Sequence, residues 1–276
     1  MSLVHAEFGT SPQALVRSVV ANRLLIWQLA KREVISRYRG SMFGLAWSFF
    51  NPLLMLAVYT FVFSVVFKAR WGVDTSGHGD FAVILFVGII VHGVFAECVN
   101  RAPGMILNNA SYVKRVVFPL ETLPWVAMGA TLFHSLISLI VLLIAQLLLR
   151  GEIPITALWL PIVILPLIIA TMGASWLLAA FGVYLRDIGQ ITGILTMVML
   201  FMAPVLYPIE ALPEKIRPWI YLNPLTFIIE QAREVLLWGH MPDFIGLGKY
   251  TIGALLVAWL GFAAFQKMRR GFADVL

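Results

Sequence analysis

Long stretches without Asp, Glu, Lys or Arg dominate the chain, and the charges and prolines collect in the short segments between them. A hydrocarbon core of about 30 Å takes roughly 20 apolar residues at about 1.5 Å rise each. Six stretches meet or approach that length, at about 43–67, 81–99, 123–149, 160–185, 188–207 and 248–267. The first is charge-free but carries Asn51-Pro52 a third of the way in, where a kink or pause is expected. The second bears Glu97 near its end, and the third has only His134 and Gln146 as polar exceptions. The fourth begins in a proline-marked run (Pro154, Pro161, Pro166) too long for an untilted crossing, so part of that start is expected outside the core. The fifth stops at Pro204 and Pro208. The pattern predicts an all-α, polytopic membrane protein with six transmembrane helices. Its expected divisions are a cytoplasmic N-terminal segment 1–42, a transmembrane domain 43–270 and a cytoplasmic tail 271–276.

Three segments between spans carry patterns of their own. Residues 23–39 read RLLIWQLAKREVISRYR, with Leu24, Trp27, Val34, Ile35 and Tyr38 on one helical face, broken at Lys31. Gln28, Arg32, Ser36 and Arg39 face away. This is the pattern of an amphipathic helix lying in the membrane interface, with Lys31, Arg32, Arg37 and Arg39 against anionic headgroups and Trp27 and Tyr38 at headgroup level. A helix that packs on a soluble partner is the alternative. Residues 101–119, RAPGMILNNASYVKRVVFP, break at Pro103-Gly104; Asn108 and Asn109 are good N-caps for a short basic helix that stops before Pro119. Either a helix that docks on a partner or a plain connecting loop fits. Residues 212–240 are too mixed to cross, and they predict short re-entrant helices on the outer side. There Ile228, Ile229, Ala232, Val235 and Leu236 recur at helical spacing opposite Glu230, Arg233 and Glu234.

Charge sets the orientation. With the N-terminus inside, 13 of the 20 Lys and Arg and six of the 14 acidic residues fall in inner segments, a net +7 against −1 outside, so both termini are expected in the cytoplasm. The sequence pI near 9.7 is therefore a topology signal, and nucleic acid is not an expected partner. The composition agrees: 61% of the 276 residues are apolar and 12% charged, against about 25% charged in soluble domains. One cysteine, Cys98, leaves no disulfide framework and no cysteine-rich metal site. The first ten residues lack the basic start and apolar run of a cleavable signal.

The candidate chemistry is sparse. No GxxxxGK[ST] occurs, so the chain lacks a P-loop of its own. Ion-driven carriers place ionisable groups at bilayer depth, whereas these spans offer His92 and His134, with Glu97 at an edge. His134 is expected to hydrogen-bond between helices. No HExxH, GxSxG or paired acids nominate a catalytic or metal site. A self-sufficient channel or carrier and a non-transporting scaffold remain the rival classes.

Four passages carry a resemblance: KREVISRYRGSMFGLAWSFFNPLLMLAVYTFVFSVVF (31–67), VKRVVFPLETLP (113–124), YLRDIGQI (184–191), and APVLYPIEALPEKIRPWIYLNPLTFIIEQAREVLLWG from 203. In order and spacing the chain resembles the membrane (permease) subunits of bacterial ATP-binding-cassette exporters that move undecaprenyl-linked polysaccharides such as O-antigen, teichoic acid or capsule. The RYRGSMFGLAW start is closer to the O-antigen and teichoic-acid type. The resemblance implies an ATP-driven exporter subunit in the bacterial inner membrane, present as a homodimer, joined to two copies of a separate ATPase that binds ATP and Mg, with no cofactor on this chain. Capsule or teichoic acid export, or export of a lipid or drug, are the alternatives. It also implies that a coupling helix over Asn108, Asn109, Ser111, Tyr112, Lys114 and Arg115, with Arg186 and Asp187, contacts the ATPase. A sugar path favours aromatic rings that give sliding contacts; the candidates are Trp47, Phe50, Tyr59, Trp176, Tyr184, Phe201 and Tyr207. Small residues on spans four and five, Gly173 to Gly193, would permit close helix contact at a seam.

Overall fold

The computed structural model describes residues 9–66, 80–113 and 118–276. Among them every regular element is helical. Two short helices, α1 (Pro12–Ala21) and α2 (Arg23–Arg37), precede the first span, which runs as a 3₁₀ turn, α3 (Trp47–Tyr59) and a π-helical stretch Thr60–Val66. Then follow α4 (Asp80–Arg101), α5 (Ala110–Val113), α6 (Leu123–Arg150), α7 (Leu160–Tyr184) and α8 (Ile188–Phe201). Next come α9 (Arg217–Tyr221) and α10 (Pro224–Arg233), the latter extended by a π-helical turn to Trp238, before α11 (Phe244–Met268) and α12 (Phe272–Val275).

Among the described residues five segments are long and apolar enough to cross a bilayer: Gly44–Phe63, Phe81–Arg101, Leu120–Arg150, Ile155–Tyr184 and Phe244–Val275. The expected fifth crossing is shorter than the pattern indicated. α8 has 14 residues, about 21 Å long, because Pro204 forces the residues before it out of helical geometry. Pro52 does not break the first span; it sits inside α3.

α4 is the hub. Ala82 to Val87 are all buried, and the helix packs against α6, α7, α8 and α10. α7 and α11 form the tightest seam, where Gly261 lies directly on the backbone of Gly173, and a Cβ on Gly173 would run into the Val257 carbonyl. Backbones this close admit only glycine, the small-residue mode of helix association in lipid. α2 lies along α6, with Ala30 and Val34 buried and Ala30 against Gly129. Leu24 and Trp27 remain uncovered. α6 ends at Gly151, whose φ of 77° is the left-handed cap that closes a helix cheaply only with glycine.

The outer segment follows its pattern except at one position. Asn223 caps α10 by accepting from the Leu225 N–H at 3.0 Å. Ile228, Ile229, Ala232, Val235 and Leu236 are buried as their spacing predicts. Arg233, expected on the polar face, is buried at 2% exposure.

Candidate functional site

α4 ends at Arg101, and Pro103-Gly104 turns the chain toward α5. Asn109 does not cap forward; its amide donates back to the Met105 carbonyl at 2.9 Å, which stiffens the turn. Asn108 and Ser111 are exposed. Tyr112 stacks on Phe118, and its hydroxyl accepts from Arg32 at 3.1 Å, so the interfacial helix α2 touches α5 directly. Lys114 and Arg115 lie outside the described residues. Arg186 and Asp187 stand exposed in the short turn between α7 and α8. Asp187 occupies the N-terminal cap of α8, but its side chain makes no capping hydrogen bond.

Two links that sequence spacing did not reveal join these pieces. Gly182, one turn before Arg186, lies against the backbone of Pro103, so the inner end of α7 rests on the loop that leads to α5. Glu121, just before α6, binds Arg269 at 2.6 Å and accepts from the Ser18 hydroxyl at 2.9 Å. The Trp176 indole donates to the Glu121 carbonyl at 3.0 Å, and Arg269 also donates to the Phe118 carbonyl at 2.9 Å. With both charged side chains only 12–13% exposed, this knot ties α1, the segment before α6, α7 and the C-terminal end of α11 together. Arg269 and Glu121 are 148 residues apart, a separation at which local pattern carries no information.

A second ionic group lies under the spans. Arg37 pairs with Glu97 at 2.8 Å, Arg101 reaches Glu97 at 3.7 Å, and Arg101 also pairs with Glu33. The Tyr38 hydroxyl meets His134 Nδ1 at 3.3 Å, the interhelical role expected of that histidine, and burial pushes the Tyr38 phenol above its ordinary value. Lys31 and Arg39 are exposed.

The seven aromatic candidates divide. Trp47, Phe50 and Phe201 are exposed on α3 and α8, and Trp47 and Phe50 meet edge to face. Tyr59 is half-buried on α3, and the Tyr207 hydroxyl donates to the Phe201 carbonyl at 2.6 Å. Tyr184 bonds the Met268 carbonyl at 2.8 Å and packs on Phe272, which anchors α12. Trp176 is 1% exposed, enclosed by Trp125 and Phe262, and so serves the core of this chain.

At the outer end, Arg233 donates to three backbone carbonyls: Ile84 at 3.1 Å, Pro204 at 2.5 Å and Val205 at 3.2 Å. These satisfy a cation whose burial lowers its pKa to about 9, so it stays charged at neutral pH. Glu230 is pushed up to about 7 by burial and by the nearby Glu210 carboxylate.

The family model of the ABC-2 type transporter matches residues 24–237. The chain belongs to the ABC-2 type transporter membrane family. Its relatives within that family include the O-antigen export system permease protein RfbA of Myxococcus xanthus, 27% identical over 94% of this chain and 98% of the relative. A Klebsiella pneumoniae protein of the same name is 28% identical over 91% and 95%. The polysialic acid transport protein KpsM of Escherichia coli is 23% identical over 88% and 93%. Family membership and the apolar helices together make the chain a multi-pass membrane protein and the permease part of a transporter, not its ATPase.

Proposed function

We propose that the chain is the transmembrane subunit of an ATP-driven exporter that carries a lipid-linked, O-antigen-like polysaccharide from cytoplasm to periplasm across a bacterial inner membrane, with both termini cytoplasmic. The observation that carries this reading is similarity over 94% of the chain and 98% of the relative to an O-antigen export permease. The identity to the polysialic acid transporter is lower, at 23%, which favours O-antigen over capsule.

ATP hydrolysis, with its Mg, belongs to a separate nucleotide-binding subunit present in two copies. Asn108, Ser111 and Tyr112, together with Arg186 and Asp187, form the surface it presses; Asn109 sets the turn from behind, and Lys114 and Arg115 extend the same segment. Movement there passes to α2 through Arg32–Tyr112 and to α7 through Pro103–Gly182. Two copies of the chain enclose the path. The apolar faces of α3 with its π-helical continuation and of α8 support this, for Phe49, Leu54, Phe61, Ile194 and Met197 are exposed among the described residues. Trp47, Phe50, Phe201 and, more deeply, Tyr59 and Tyr207 supply rings against which sugar faces slide.

Co-expression with the candidate ATPase tests the coupling assignment. Replacing residues 108–115 with a Gly-Ser run is expected to abolish the permease-dependent change in ATPase rate and the periplasmic polymer while the permease still inserts. Undiminished export would remove the coupling role. Export of capsular polymer in place of O-antigen in a strain lacking its own permease would shift the cargo.

A further inference from the structure

The ionic group beneath the first span opens into the membrane. Two cavities of about 330 Å³ each share Arg37, Glu97 and His134. One of them climbs between α3, α4 and α6 as far as Phe86. Glu97 and Phe86 are eleven positions apart on α4, a rise of about 16 Å. That is the depth of one leaflet of a hydrocarbon core about 30 Å thick. The crevice thus starts at the cytoplasmic boundary and ends near the bilayer midplane.

Its two ends differ in chemistry. Away from the ionic end the wall is mostly Met55, Phe86, Ile89 and Ile90, with Asn51, Tyr59 and Ser138 as polar side chains among them, and a Cβ on Gly93 would meet open space there. The lower end holds two arginines and two glutamates, whose formal charges cancel. Glu97 receives both Arg37 and Arg101 on Oε1, and Glu33 receives Arg101 on Oε1. Neither Oε2 accepts a hydrogen bond from a described residue, and the four side chains are between 26% and 56% exposed. The lower end therefore offers cationic donors and anionic acceptors side by side, both partly unused.

A ligand that fits carries an anionic group, an N–H-bearing cation close to it and a hydrocarbon chain. A diphosphate sets two or more negative charges against two carboxylates and leaves their free oxygens unmatched. A trimethylammonium head has no N–H to give them. A phosphoethanolamine head matches both sets. We propose that this crevice binds an inner-leaflet phospholipid with an ethanolamine headgroup, its phosphate on Arg37 and Arg101, its ammonium on Glu33 and Glu97, and a chain against Phe86 and Ile90. The inference rests on the proposed cytoplasmic placement of the N-terminus, which puts this crevice in the inner leaflet, and stands apart from the identity of the exported cargo.

The test uses the full chain in nanodiscs of equimolar phosphatidylethanolamine, phosphatidylcholine and phosphatidylglycerol, with retained lipid read by native mass spectrometry. The wild type is expected to retain phosphatidylethanolamine over each of the others by about tenfold, the ratio one charge-assisted hydrogen bond supports. Glu33→Gln with Glu97→Gln leaves both arginines and removes the ammonium partners, and is expected to turn the preference to phosphatidylglycerol. Should that variant fail to fold, Gly93→Leu fills the crevice without touching a charge and is expected to lose the bound lipid while its melting temperature holds. Equal retention of the three lipids by the wild type, or unchanged retention in Gly93→Leu, overturns the proposal. So does release of the lipid by an equimolar polyprenyl diphosphate, which would give the site to the carried lipid.

Discussion

α7 and α8 are consecutive, both apolar and both sprinkled with small residues, yet they use them in opposite ways. On α7, Gly173 is pressed against the backbone of α11 and Gly182 against Pro103. On α8, Gly189 and Gly193 have nothing from this chain within reach of a Cβ, and Ile191, Ile194 and Met197 are exposed around them. A small residue in a transmembrane helix thus marks close approach only where a neighbour arrives. The α7 glycines hold this chain together, and the α8 glycines lie on a face the described residues leave uncovered, where the proposed second copy would sit.

The sharpest way to break the contrast is Gly173→Leu. It forces α7 from α11, and the cost of packing a side chain into backbone contact is expected to exceed about 3 kcal/mol. Size-exclusion chromatography and protease resistance should show loss of folded monomer; a well-folded variant would mean that the seam yields. Gly193→Leu is expected to leave the monomer intact and lower self-association by tenfold or more, read by single-molecule photobleaching or cross-linking. Persisting dimers would place the seam elsewhere than α8. The smallest effect is expected from Gly193→Ala, where a methyl enters open space on a helix. The gain is about 0.5–1 kcal/mol in thermal stability, from reduced freedom of the unfolded chain.

Much of the fold was legible because period and length carry it. The buried stripe Ile228, Ile229, Ala232, Val235 and Leu236 was visible as spacing, and the five long apolar segments as runs with few charges. Arg233 was misplaced because a helical period ranks residues by type and cannot see three carbonyls arriving from α4 and the end of α8. Trp176 looked like a path aromatic for the same reason: hydropathy does not distinguish a ring that faces an opening from one wedged between Trp125 and Phe262. The turn after α4 was readable locally through Pro103-Gly104, whereas Asn109 bonds back to Met105 and does not cap forward. The attachments through Gly182 and through Glu121–Arg269 depend on contacts far apart in the chain.

The three bonds of Arg233 have a mechanical consequence. One guanidinium spans the beginning of α4, the segment just after α8 and the helical hairpin of α9 and α10, so these parts form a single riveted plate at one end of the helix bundle. A hinged flap could open by breaking one contact at a time. A plate cannot tilt until all three hydrogen bonds part, so any opening at this end moves the three parts as one body.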